Sequence, residues 1–209
     1  TLGRLWKVTD PENKVTEYAY NADNRMLSIK NARGITKVVN AYDAKGRVEK
    51  QTLPDGIYTF GYTENSLGKI VQTDVTDPRG MVNRKLFNKQ GYLIGQTRAF
   101  GTALQQTATF EVEDGTNLRL SEKDALNRLT KYTYTPWGNI DSITWLAGTA
   151  EAAKASFTYE PKFNRVDSIT DPLNHTTRIE YDRFGNPAKI IDPLQHEINI
   201  GYDPNGRPI

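Results

Sequence analysis

Apolar and polar residues alternate along this chain over short stretches, and clusters of Asp, Asn, Pro and Gly interrupt them about every ten residues. Such spacing leaves room for strands of five or six residues but not for helices of ordinary length. Before each of several aromatics, the position two residues back is bulky: Tyr18, Phe60, Tyr132, Phe157, Ile179 and Ile200, with Asn40 and Lys85 as exceptions. The position one residue back is small or polar: Ala19, Ala41, Gly61, Thr133, Thr158, Glu180 and Gly201. That is the alternation of a half-buried strand. After the turns, apolar residues recur three apart, in Met26/Ile29, Ile140/Ile143, Val166/Ile169 and Pro187/Ile190. A bulge just past each turn would reconcile that spacing with a strand.

The alternation belongs to a repeat. An aromatic followed by a turn recurs as Tyr20-Asn-Ala-Asp-Asn-Arg25, Tyr42-Asp43-Ala-Lys-Gly46-Arg47 and Phe87-Asn-Lys-Gln-Gly-Tyr92. It continues as Tyr134-Thr-Pro-Trp-Gly138-Asn139, Tyr181-Asp182-Arg-Phe-Gly185-Asn186 and Tyr202-Asp203-Pro-Asn-Gly206-Arg207, with looser copies at Tyr62 and Tyr159. The gap of 47 residues between Phe87 and Tyr134 fits a degenerate copy near Val112. A second turn starts ten residues before an aromatic anchor in Asp10-Pro-Glu-Asn, Asp77-Pro78-Arg-Gly80, Asp124-Ala-Leu-Asn, Asp171-Pro172-Leu-Asn and Asp192-Pro193-Leu-Gln. Asn31-Ala-Arg-Gly34 and Leu53-Pro-Asp-Gly56 look like slipped versions. Asp in the first place accepts a hydrogen bond from the backbone two residues on, and Pro in the second has the φ a type I turn needs. Gly or Asn in the fourth tolerates the left-handed backbone. Each unit therefore holds two turns and two strands, and register stacking sets anchor beside anchor as an aromatic ladder. Roughly nine such units predict an all-β chain, a continuous antiparallel sheet of about 18 strands that must curl or flatten.

Length and composition add limits. At 209 residues the chain is long enough to bury a sizeable core. The 27 basic and 25 acidic residues nearly cancel, so no basic stripe marks a nucleic-acid binder, and no apolar run is long enough for a membrane span. With no cysteine, disulfides, thiolate nucleophiles and zinc-thiolate sites are excluded. Only Thr149–Ala155 has helical composition; it reads as an insertion loop with one helical turn, within an irregular zone near 147–156, and 101–118 is a second such zone.

The pair Tyr-Asp-x-x-Gly-Arg and upstream Asp-Pro-x-Gly resembles the YD repeat of Rhs proteins, found also in insecticidal toxin-complex subunits and teneurins. Tyr42, Asp43, Gly46 and Arg47 match in full, as do Tyr202, Asp203, Gly206 and Arg207; Tyr181, Asp182 and Gly185 depart only at Asn186. The resemblance covers nearly the whole chain, as one array over 1–209. It implies a hairpin sheet spiralling into a hollow bacterial shell, assembled in the cytoplasm and then secreted or delivered to the cell surface, often by type VI secretion. It implies as partners the rest of the same polypeptide, an enclosed C-terminal toxin domain and proteins of the secretion apparatus. It implies a structural part and not an enzyme, with no cofactor. The expected closing motif Asp-Pro-x-Gly-Leu, the toxin domain and a delivery module are not in this sequence. It starts without Met, and both ends fall just after a Gly-Arg pair, Gly3-Arg4 and Gly206-Arg207, the phase expected of a segment cut from within an array.

Sharper chemistry has weaker support. His175 and His196 each stand four residues after an Asp, which invites a metal site, but two histidines without a third ligand fall short of zinc. The turn aspartates suggest calcium less well than turn capping, and no carboxylate pair or nucleophile elbow singles itself out for hydrolysis. Trp6, Trp137 and Trp145 could bind sugars, making an adhesive or glycan-binding surface the second reading; packing across hairpins is the plainer one. A propeller enzyme, the third reading, needs blades of four strands and hence a paired-up repeat.

Overall fold

The computed structural model describes residues 3–209. Contacts divide the chain into two compact units, Thr1–Thr109 and Phe110–Ile209. The first holds β1 (Lys7–Thr9), β2 (Val15–Tyr20), β3 (Met26–Lys30), β4 (Thr36–Tyr42) and β5 (Val48–Leu53). β6 (Gly56–Glu64), β7 (Ile70–Thr76), β8 (Val82–Phe87), β9 (Leu93–Arg98) and the start of β10 (Gln106–Val112) complete it. The second holds the end of β10, then β11 (Arg119–Lys123), β12 (Leu129–Tyr134), β13 (Ile140–Trp145) and β14 (Ala153–Tyr159). It ends with β15 (Val166–Thr170), β16 (Thr176–Tyr181), β17 (Pro187–Ile191) and β18 (Glu197–Asn199). The strands make one 18-stranded antiparallel sheet of consecutive hairpins, where propeller blades would break after every fourth strand.

The spacing of three after the turns is a bulge, and it recurs. In seven hairpins the last residue of the first strand pairs with the first of the second, and one residue is then skipped. Tyr20 faces Met26 and Tyr18 faces Ile29; Tyr134 faces Ile140 and Tyr132 faces Ile143. The extra residue keeps both apolar partners on the anchor's face, which an even register would split.

Faces segregate within the second unit. Tyr132, Ile143 and Ala155 line up across three strands, as do Phe157, Ile169 and Thr177, then Ile179, Ile190 and Ile198. The reverse face carries Thr133, Ser142, Ser156, Thr170 and Thr176 in one row. Hydroxyls bridge the strands there: Thr133–Ser142 at 2.7 Å, Thr158–Ser168 at 2.6 Å and Thr170–Thr176 at 2.9 Å.

The length that would allow a sizeable core is not used for one among the described residues. Among the described residues the buried apolar side chains are Phe110 and Ala155. The accessible surface is 14269 Å² for 23.6 kDa, where a globular chain of that mass exposes about 9,800 Å². Chain length permits a core but does not compel one: a sheet with no second layer leaves its apolar face half-covered. Nor does a helix form among the described residues. The helix-like composition of 149–155 is divided between a turn and β14, and 101–118 is two turns flanking β10.

Candidate functional site

The repeat residues gather along the sheet's two edges, where the turns lie. The Asp43 turn shows the design. Gly46 N–H donates to the Asp43 carbonyl, and Asp43 N–H donates to that of Arg47. Asp43 Oδ1 accepts from the N–H groups of both Lys45 and Arg47, at 2.9 Å each. The sequence pattern anticipates the first of these two donors and misses the second. Asp10, Asn21, Asn31, Asp77, Asp124, Asp171, Asp182, Asp192 and Asp203 repeat the double acceptance. The fourth turn position is left-handed, with φ of 78° at Gly46, 65° at Asn174 and 68° at Gln195. These are type I turns closed by a left-handed residue. Pro78, Pro172 and Pro193 stand second in theirs, beside Gly80 and its left-handed equivalents. Asn31–Gly34 makes the same turn at its shifted offset, and Leu53 pairs with Gly56 across a two-residue turn.

The carboxylates are tuned by this geometry. Backbone N–H groups four residues on hold Asp43, Asp77, Asp124, Asp171 and Asp192 below the usual carboxylate range, against the desolvation that opposes it. His175 and His196 place Nδ1 at 3.1 and 2.8 Å from Asp171 and Asp192 Oδ2 of their own turns. Among the described residues no three His, Cys, Asp or Glu gather as metal ligands.

The tyrosines do something the sequence did not announce. Where one hairpin meets the next, the backbone ladder stops short of the edge that carries them: β3–β4 pairs end at Ser28–Val39, and β15–β16 pairs at Ser168–Arg178. Beyond that point the tyrosine hydroxyl reaches across to the carbonyl of the preceding repeat. Tyr42 donates to Met26 at 2.6 Å, Tyr62 to Val48 at 2.8 Å and Tyr134 to Arg119 at 2.7 Å. Tyr181 donates to Val166 at 2.6 Å, Tyr202 to Pro187 at 2.9 Å and Tyr20 to Leu5 at 2.8 Å. Tyr159 does the same to Ile140. Each tyrosine thus latches its hairpin to the previous one where strand pairing has run out. Tyr134 finds its acceptor just past the turn that follows Val112, the place of the degenerate copy. Asn40, the polar exception on the bulky face, is 6% exposed; it donates to the same Met26 carbonyl and accepts from Gln51.

In four repeats the arginine after the left-handed turn residue, Gly3, Asn24, Gly46 or Asn164, completes the latch. Arg4, Arg25, Arg47 and Arg165 lie over the ring of the next tyrosine, Tyr20, Tyr42, Tyr62 and Tyr181, at 5.4, 5.9, 4.5 and 5.8 Å from its centroid. What covers the anchors of the expected aromatic ladder is therefore guanidinium from the repeat before. Arg25 packs so close to Gly46 that any Cβ there would collide with it, and the Phe163 ring lies 3.1 Å from where a Cβ on Gly185 would stand. Arg47 also meets Asp43 and Glu64, which Lys45 joins. Arg207 pairs with Asp203 at 3.3 Å beside Gly206. Gly138 has open space around its Cα. Trp6, Trp137 and Trp145 are all exposed, Trp137 most of all.

Latched, bulged hairpins in tandem define a β-repeat protein whose recurring side chains serve the joint between units. The RHS Repeat family model matches residues 1–36, a stretch that holds three of these turns, a bulge and the Tyr20 latch, and the same geometry recurs to Arg207. No curated protein sequence matches the chain. Among solved structures it is similar to a crystal structure of TcdB2-TccC3-Cdc42, at 16% identity and TM-score 0.37, over 96% of this chain and 15% of that one. A Photorhabdus luminescens Tc holotoxin pore aligns at 14% identity and TM-score 0.35, over 98% and 16%. A porin-like protein from Bacteroides uniformis aligns at 12% identity and TM-score 0.33, over 85% and 89%. The chain spans about a sixth of the toxin chains' length.

Proposed function

We propose that this chain is a wall segment of an RHS shell, enclosing a C-terminal toxin domain of the same polypeptide until a bacterium secretes it or delivers it to its own surface. The observation that carries the reading is the sheet of the second unit, with one face apolar and the other hydroxyl-rich, and the scarcity of buried apolar side chains among the described residues. Such a sheet is a partition and not a globule, and its apolar face calls for polypeptide against it. The latches suit the same task, because they close the seam between hairpins where backbone pairing stops. Confinement needs a continuous wall, and no catalytic group enters into it.

The test is limited proteolysis of the full-length polypeptide beside the isolated toxin domain. Slow cleavage of the enclosed domain and rapid cleavage of the free one is the expected result. Equal rates would sink the proposal.

A further inference from the structure

In a type I turn the third residue points into solvent and the geometry asks nothing of it. Several turns here accordingly carry a charge at that place: Glu12, Asp23, Arg33, Lys45 and Arg79. On one edge of the second unit the choice is different. Trp137 between β12 and β13 is 85% exposed, and Phe184 between β16 and β17 is 68% exposed. Phe163, near the tip of the turn between them, is half-buried against Gly185 and joins the two exposed rings into one edge. The three turns form a row: Asn139 Nδ2 donates to Asn164 Oδ1 at 2.6 Å, and Lys162 Nζ to the Arg183 carbonyl at 3.0 Å. Cations flank the rings, with Lys162 4.6 Å from the Phe163 centroid and Arg183 4.6 Å from that of Phe184.

Neighbouring tips on one edge are about 10 Å apart, two strand spacings. Prongs so separated offer a rigid protein partner no contiguous patch, but they enter a deformable headgroup layer one by one. Aromatic rings at headgroup depth with Lys and Arg beside them are the chemistry of a bilayer interface. We infer that the Trp137–Phe163–Phe184 edge binds an anionic membrane surface. The opposite edge supplies the contrast. Its tips Leu126, Leu173 and Leu194 are as exposed, but Ala125, Pro172 and Pro193 precede them and acid-paired Arg128, His175 and His196 follow.

The test is cosedimentation with phosphatidylcholine vesicles containing about one-third phosphatidylserine, and with phosphatidylcholine alone. Binding to the anionic vesicles, weakened by salt, is expected. In W137A/F184A it should fall at least about tenfold, while L173S/L194S binds as the parent does. All four side chains are exposed, and circular dichroism checks that both variants fold. Three results overturn the inference: no sedimentation of the parent chain, undiminished binding of W137A/F184A, or release by free monosaccharide and not by salt, which would make the edge a glycan site.

Discussion

Two side chains share one carbonyl in the first unit, and that sharing has a measurable consequence. Met26 lies past the end of the β3–β4 ladder, and its carbonyl accepts from Tyr42 Oη at 2.6 Å and from Asn40 Nδ2 at 3.0 Å. Tyr42→Phe removes one donor and leaves the other in place, so the loss should be about 0.5 kcal/mol, the low end for a net hydrogen bond. Asn40→Ala removes the second donor, together with the Asn40–Gln51 bond. With Asn40 already gone, Tyr42→Phe strips the carbonyl of its last side-chain donor and should cost about 1.5 kcal/mol. The double-mutant cycle therefore carries a coupling of about 1 kcal/mol, well above the error of urea unfolding followed by far-ultraviolet circular dichroism. The sign matters most: the loss in the double variant should exceed the sum of the two single losses. Additive losses, or a Tyr42→Phe that costs nothing without Asn40, would refute the latch as a hydrogen bond and leave the tyrosine as packing alone.

Other consequences can be measured in parallel. Gly46→Ala should destabilise more than Gly138→Ala, because both glycines are left-handed (φ 78° and 83°) but only at Gly46 does the new Cβ meet Arg25; the Gly138 change should cost about 1 kcal/mol, the strain of an L-residue there. Equal losses in urea unfolding would remove Arg25 from the account. The turn aspartates have folded pKa values below their unfolded ones, so their contribution is present above the usual carboxylate range and is lost as pH falls through the folded values. Thermal stability should accordingly drop below about pH 4. Asp124→Asn, which keeps the acceptor as Asn21 and Asn31 do, should flatten part of that fall. A profile as steep as the parent's would place the acid sensitivity elsewhere.

Much of the fold was legible because its causes are local. Turn type follows from Asp, Pro and Gly within four residues, and strand facing follows from alternation, so the hairpins and their number could be read directly. The bulge could be inferred from the spacing of Met26 and Ile29, since a period-two strand cannot hold both on one face. Asn31–Gly34 reads as a slipped copy because its turn sits eleven residues from its anchor, where five others sit ten; its own residues nonetheless form the same turn.

What the sequence by itself determined is the repeat: two turns, two strands, and an aromatic at a set phase. Only the tertiary structure decided what the aromatic, the arginine and the glycine are for. The tyrosine hydroxyls find their acceptors 14 to 19 residues away on the neighbouring hairpin, Gly46 and Gly185 meet Arg25 and Phe163 farther off still, and no spacing within a unit reveals that a ladder stops short and a phenol hydroxyl continues it. The missing core is of the same kind. Alternation says that one face is apolar, but whether a second layer covers that face depends on where distant chain is placed, and here the described residues put nothing over it.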